Sequence, residues 1–257
     1  ANQHEASSHR AARPVPGRPA LRPPSGPRCL PGGGGPHLFR ASIPVSVRGG
    51  LMVIDNTGFD GRGEAGPFCQ EVLRECMARG YDGILCDFEG HPLQVLAQAV
   101  RTLGELTKKR GWPLYVTEAY APFSDSAIAL IPPPCPAAPS SSAFREAVER
   151  FGAARVALAV ERVAEDFFLP PPPARGCPLT REELRQRLEE RAPSVFFSSE
   201  LCAHYFTYMS RQNGAHFVLF DDAGSIRKKL QVARNLGISS AVLAYPQVDD
   251  LLPELLK

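Results

Sequence analysis

The chain has 257 residues, 44% hydrophobic and 22% charged, with a formal net charge of +2. That apolar share can build a sizeable core and excludes collagen, coiled coil and wholesale disorder, and no run approaches the roughly 18 apolar residues of a membrane helix. Residues 1–50 carry seven Arg against one acid, Glu5, leaving 22 basic and 26 acidic residues for the remainder; a mildly acidic folded part argues against nucleic acid as a partner.

The first 37 residues are Pro, Gly, Arg and Ser with little to bury, including PGGGGP at 31–36, and composition predicts a disordered segment there. From residue 38 to 257 the pattern is that of one folded domain. LMVID (51–55) reads as a buried strand, and 67–80 as a helix whose Phe68, Val72, Leu73, Cys76 and Met77 share a face until Gly80 stops it. Strand DGILCDF (82–88), helix 92–111, strand PLYVTEAY (113–120) and strand AIALI (127–131) follow. Next come helix 143–152, strand ARVALAV (154–160) and a helix over 180–192, with Thr180 as N-cap and Glu183 completing a capping box. HYFTYM and AHFVLF form a hairpin turned by RQNG (211–214), before helix 223–237 and strand SSAVLAY (239–245).

Short, continuously apolar strands alternating with helices predict an α/β protein with a parallel sheet covered on both faces. Six such strands lie between 51 and 245, with room for another in ASIPVSV (41–47). An open doubly wound sheet and a (β/α)8 TIM-type barrel both fit. No Gly-rich fingerprint follows the first strand, which favours the barrel, incomplete at its N-terminal end and carrying a small β-hairpin insertion before the last β/α unit.

The chemistry concentrates in Asp82-Gly83-Ile84-Leu85-Cys86-Asp87-Phe88-Glu89. Alternate strand residues share a face, so Asp87 and Glu89 point with Gly83 and Leu85, away from Cys86 and Phe88. If that face is the barrel interior, two carboxylates sit one pleat apart at the C-terminal end of a strand, where barrel active sites are built. Two close carboxylates in a partly dry cavity cannot both ionise cheaply, which suits Glu89, nearer the rim, to proton donation. The bland alternative is a pair of acids capping a strand end. Seven scattered cysteines (Cys29, Cys69, Cys76, Cys86, Cys135, Cys177, Cys202), never spaced C-x-x-C, read as reduced thiols rather than a zinc site or disulfide framework. No metal-ligand spacing and no cofactor motif is read. Residues 1–25 hold no apolar signal core, and free thiols favour the cytoplasm, with cell-wall or spore association open.

This stretch resembles the signature of glycoside hydrolase family 18, Asp-Gly-x-x-x-Asp-x-Glu, in which a further Asp usually stands where this chain has Leu85. Downstream, His216-Phe217-Val218-Leu219-Phe220-Asp221-Asp222-Ala223-Gly224-Ser225-Ile226 looks like the end of the family's spore-cortex-type N-acetylglucosaminidases, where a hairpin ends in Trp/Phe-x-Asp-Ala-x-Ser before the final helix and strand. The resemblance spans about residues 51–250. It implies substrate-assisted retaining hydrolysis of glycans containing N-acetylglucosamine, such as peptidoglycan or chitin-like oligomers. Glu89 would be the acid, Asp87 would orient the acetamido group, and Asp82 would belong to the substrate-binding set. Two further family positions differ: AIALI runs into PPPCPAAP where the family has Met-x-Tyr-Asp/Glu, and Ala244 stands where it has Trp. Glu118, Tyr120, Glu161 and Tyr245, all near strand ends, are the candidates to supply those contacts. The alternative implied by the differences is a family-18-like barrel that binds a glycan or a partner without cleaving it.

Overall fold

The computed structural model describes residues 19–22, 28–32, 35–39, 50–131, 141–169, 176–211 and 214–257. Within the segment read as disordered it describes three strands: β1 (Pro19–Arg22), β2 (Arg28–Gly32) and β3 (Gly35–Phe39). The candidate strand at 41–47 and the proline run at 132–139 lie outside the described residues.

The main chain of elements then runs β4 (Leu51–Asp55), α1 (Ala65–Arg79), β5 (Gly83–Asp87), α2 (Gln94–Arg110), β6 (Leu114–Thr117), a 3₁₀ turn (Glu118–Phe123), β7 (Ile128–Ile131), α3 (Ser141–Phe151) and β8 (Val156–Val160). An insertion follows, comprising β9 (Ala164–Leu169), β10 (Cys177–Pro178), α4 (Arg181–Arg191), β11 (Phe196–Ser198), β12 (Ala203–Ser210) and β13 (Gly214–Phe220). The chain closes with α5 (Ala223–Asn235), β14 (Ala241–Ala244), α6 (Tyr245–Val248) and α7 (Leu252–Leu255).

Six strands, in the order β14-β8-β7-β6-β5-β4, pair in parallel throughout, as their uninterrupted apolar runs predict. Outside them β1 pairs in parallel with β14 and also lies against β4, so the sheet curls. Two contacts tell its faces apart. Met52 meets Cys76 of α1 through sulfur at 3.6 Å, so the face of Met52, Ile54, Ile84, Cys86 and Phe88 looks toward the helices. On the other face, the Tyr115 hydroxyl of β6 hydrogen-bonds Ser240 at the start of β14. Two intervening strands separate them, so this bond is a chord across the concave side. Gly83, Leu85 and Asp87 share that concave side through strand register.

Helix α1 buries Phe68, Cys69, Val72, Leu73 and Cys76, but Met77 is half exposed, one position round from the buried stripe. Gly80 ends the helix at φ +67°, returning its N–H to the carbonyls of Cys76 and Met77. The β6 strand stops at Thr117, three residues short of the reading, because Glu118–Phe123 winds into the 3₁₀ turn.

The expected hairpin exists as β12 and β13, but it is the centre of a five-stranded antiparallel sheet, β10-β9-β13-β12-β11. Helix α4 packs on one face of this sheet through Leu184, against Phe206, Val218 and Phe220. Its Thr180 N-cap accepts the Glu183 N–H, which is one half of the expected capping box; the return bond from the Glu183 side chain is not formed. At the root of the insertion, Asp221 donates its N–H to the Val163 carbonyl, accepts the Val163 N–H on its carboxylate at 2.9 Å and holds the fully buried Lys229 at 2.6 Å.

Candidate active site

Because the six strands are parallel, their C-terminal ends open on one rim. That rim carries Asp55-Asn56 after β4, Asp87-Phe88-Glu89 after β5, Thr117-Glu118 after β6, Glu161 after β8 and Tyr245 after β14. Along β5, burial falls from complete at Leu85 to half at Asp87, and Glu89 is exposed, while Phe88 between them is buried. Phe88 meets Tyr120 edge-to-face, ring centroids 5.3 Å apart. Burial therefore alternates along this stretch: Phe88 packs into the helical layer, between half-buried Asp87 and exposed Glu89.

The backbone that carries Glu89 is held from both neighbouring strands. Asn56 donates its Nδ2–H to the Glu89 carbonyl and accepts the Glu89 N–H on Oδ1, both at 3.0 Å. Thr117 donates its hydroxyl to the Phe88 carbonyl at 2.7 Å. Gly90 follows at φ +81°, a left-handed turn that L side chains resist. Asp55 stands beside Asp87 in register on the same face, half buried, with Oδ1 taking the Thr57 N–H. Sequence reading missed Asn56, Thr117 and Asp55. The acid that closes LMVID was visible, but its register against Asp87 depends on strand pairing.

Beneath the acids the concave side is dry. Tyr115 is 2% exposed, and burial pushes its phenol up to about 12 although the Ser240 hydrogen bond works the other way.

The other candidates separate. Glu118 and Glu161 are exposed on the rim. Tyr245 opens α6 directly after β14. Tyr120 is corrected: it is fully buried, and its hydroxyl accepts the Leu93 N–H at 3.0 Å, so it supports the rim from below and offers nothing to a ligand. Asp82 is corrected too. It precedes β5, exchanging bonds with Gly50, and five residues at ~3.3 Å each place it about 16 Å along the strand from Asp87. Trp112 is half buried against the core, and His91 is exposed after the motif. Among the described residues no helix is long and apolar enough to cross a membrane.

No protein-family model matches the chain. Its fold is similar to that of the spore cortex-lytic enzyme SleL from Bacillus megaterium QM B1551, with TM-score 0.59 and 15% identity over 80% of this chain and 59% of that one. It is similar also to a chitinase from Chromobacterium violaceum ATCC 12472, with TM-score 0.61 and 16% identity over 80% and 78% of the two chains. A class V chitinase from Nicotiana tobaccum aligns with TM-score 0.51 and 12% identity over 75% and 74%. The chain thus spans less than two thirds of the SleL chain it matches. At these identities the likeness is one of architecture: the curled parallel sheet is similar to that of these chitinases and this spore cortex-lytic enzyme, in keeping with the resemblance carried by the Asp87-Phe88-Glu89 motif.

Proposed function

We propose that the protein is a glycoside hydrolase-like protein acting on glycans that contain N-acetylglucosamine, of the peptidoglycan or chitin type, and that the curled sheet is the arc of a (β/α)8 barrel. One observation carries this reading: an exposed carboxyl, Glu89, stands on a pinned strand end at the rim, with Asp87 half buried one pleat below on the concave side. Glu89 protonates the glycosidic oxygen. The substrate's own acetamido carbonyl attacks the anomeric carbon, and Asp87 orients that group and balances the positive charge of the oxazolinium-like intermediate. Water then opens the intermediate with retention, Glu89 acting as base. Family 18 stands apart from the rule of a separate carboxylate nucleophile, so two acids this close in sequence suffice. Glu118, Glu161 and Tyr245 supply contacts along the rim.

The test is hydrolysis of N-acetylglucosamine oligosaccharides and peptidoglycan fragments by the native chain and by Glu89→Gln. General acid catalysis contributes roughly 10²–10⁴-fold, so turnover falls by that range and the released sugar keeps its anomeric configuration. Turnover indifferent to the substitution overturns the assignment. A second reading, glycan binding without cleavage, is favoured by Ala244 and PPPCPAAP standing where the family has its Trp and Tyr. It predicts equal oligosaccharide affinity and no turnover in both proteins.

A further inference from the structure

We infer that Asn56 and Thr117 are positioning residues for Glu89: they continue the sheet's hydrogen-bond ladder past its end and so present the Glu89 carboxyl from one direction. This deepens the proposed reading of Glu89 as the acid and rests on it. The ladder of β5 ends at Asp87 against β4 and at Cys86 against β6. Beyond it the Phe88 carbonyl, the Glu89 N–H and the Glu89 carbonyl would meet only solvent, and an unpaired strand end frays. Instead the Asn56 carboxamide takes two of them at 3.0 Å each, and the Thr117 hydroxyl takes the third at 2.7 Å from the other side. A primary amide offers a donor and an acceptor on adjacent atoms of one planar group, as a peptide does; a carboxylate at 56 could accept the N–H but would oppose the carbonyl. The two holds come from strands on opposite sides of β5, and the turn at Gly90 leaves immediately afterward. The rim thus has a fixed point where the proposed chemistry needs one, because a displacement of about 1 Å in a catalytic group can cost on the order of 100-fold in rate.

The experiment compares the full chain with Asn56→Ala, Thr117→Val and Thr117→Ser, by steady-state kinetics on an N-acetylglucosamine oligosaccharide and by amide hydrogen exchange. Asn56→Ala is expected to lower kcat by roughly 30- to 100-fold with KM held within about twofold. Exchange at the Glu89 amide is expected to rise about tenfold, with amides of β7 and β8 unchanged. Thr117→Val has a smaller effect of the same kind, and Thr117→Ser, which keeps the hydroxyl, restores native values. Unchanged exchange at Glu89 in Asn56→Ala overturns the inference. So does faster exchange with native kcat in a protein whose turnover Glu89→Gln abolishes. If the native chain does not turn over, or Glu89→Gln leaves turnover intact, the catalytic reading falls on its own. The hold is then judged by exchange: acceleration confined to 88–90 supports it, and native protection overturns it.

Discussion

The two sheets solve burial in opposite ways. In the parallel sheet both faces are dry: Leu51, Met52, Ile54, Ile84, Leu85 and Cys86 are all fully buried, and polar side chains wait for the strand ends. In the insertion α4 covers one face, and the other is buried at Ala203 and Leu219 but open farther along. The face opposite α4 carries Phe167, Phe217, Tyr205 and Phe196 as neighbouring rings, and Met209 is 69% exposed. Polar groups go inside instead. Buried Asp166 accepts the Tyr208 hydroxyl at 2.6 Å, meets His216 Nδ1 at 2.9 Å and has Arg187 at 3.4 Å. The parallel sheet is held by area, which is non-directional and forgiving of shape-conserving change. The insertion leans on a few satisfied polar contacts, each of which becomes a liability when one partner is removed.

The sharpest way to break that contrast is at the root of the insertion. Lys229→Ala strands the Asp221 carboxylate in a site with no solvent access, which costs about 3–5 kcal/mol. Replacing both partners, Lys229→Met with Asp221→Asn, removes the stranded charge and recovers roughly half of that loss, the Val163 N–H keeping an acceptor. Urea unfolding of the three proteins measures both effects. A double variant no more stable than Lys229→Ala would mean that the pair's attraction, rather than the stranded charge, dominates. In the parallel sheet the counterpart is Phe88→Ala, which empties the contact with Tyr120 and costs about 3–4 kcal/mol. Its effect reaches the rim as well, because Phe88 anchors the strand between the two acids.

A pH scan probes the parallel sheet by another route, although burial also raises the Cys202 thiol and the Tyr208 phenol of the insertion. Burial pushes the Cys69 and Cys76 thiols of α1 up to about 12, with the Glu75 charge adding to the effect at Cys76, and lifts the Tyr115 phenol equally high. In the unfolded chain these groups ionise near 9 for the thiols and 10 for the phenol. Between those values and 12 the native state binds more protons than the unfolded one, so stability falls as pH rises. It is complete below about pH 9. Each pH unit in the window costs about 1.4 kcal/mol per group. Tyr115→Phe is expected to flatten the loss above pH 10, read as the slope of the urea midpoint against pH; an unchanged slope would mean the phenol ionises without unfolding the sheet.

The parallel sheet was legible because its signal is local. RVALAV and SAVLAY declare strands buried on both sides without reference to any partner, and Asp87-Phe88-Glu89 declares its own facing through a period of two. Strand β9 was not legible: AEDFFL shows no alternation, since Asp166 on its buried face needs Tyr208 and His216 from other strands to be tolerable there. Strand β11, three residues long, exists only through its pairing with β12. At the site the same divide holds. The two acids announce themselves in one octapeptide, whereas Asn56 and Thr117 matter through bonds to residues 33 and 29 positions away. Asp82 and Tyr120 were misjudged for a related reason. Sequence proximity to the motif or to a strand end does not say which end of the strand, or which side of a turn, a side chain occupies.

The smallest effect is expected at Met209, and it is read by making one substitution in both sheets. Met52 lies in β4 at 0% exposure and Met209 in β12 at 69%. Met52→Ala removes buried volume between the sheet and α1, including the sulfur contact with Cys76, and costs about 2–5 kcal/mol. Met209→Ala takes away a side chain already in water and changes stability by less than about 0.5 kcal/mol. Urea denaturation of the two variants tests the pair. A loss above about 1 kcal/mol at Met209 would show that the exposed face of the insertion is covered in solution, and concentration dependence of that loss would identify the cover as another copy of the chain. Equal and small losses at both sites would instead mean that the parallel sheet repacks around a missing thioether, and the division between an area-held sheet and a contact-held one would need redrawing.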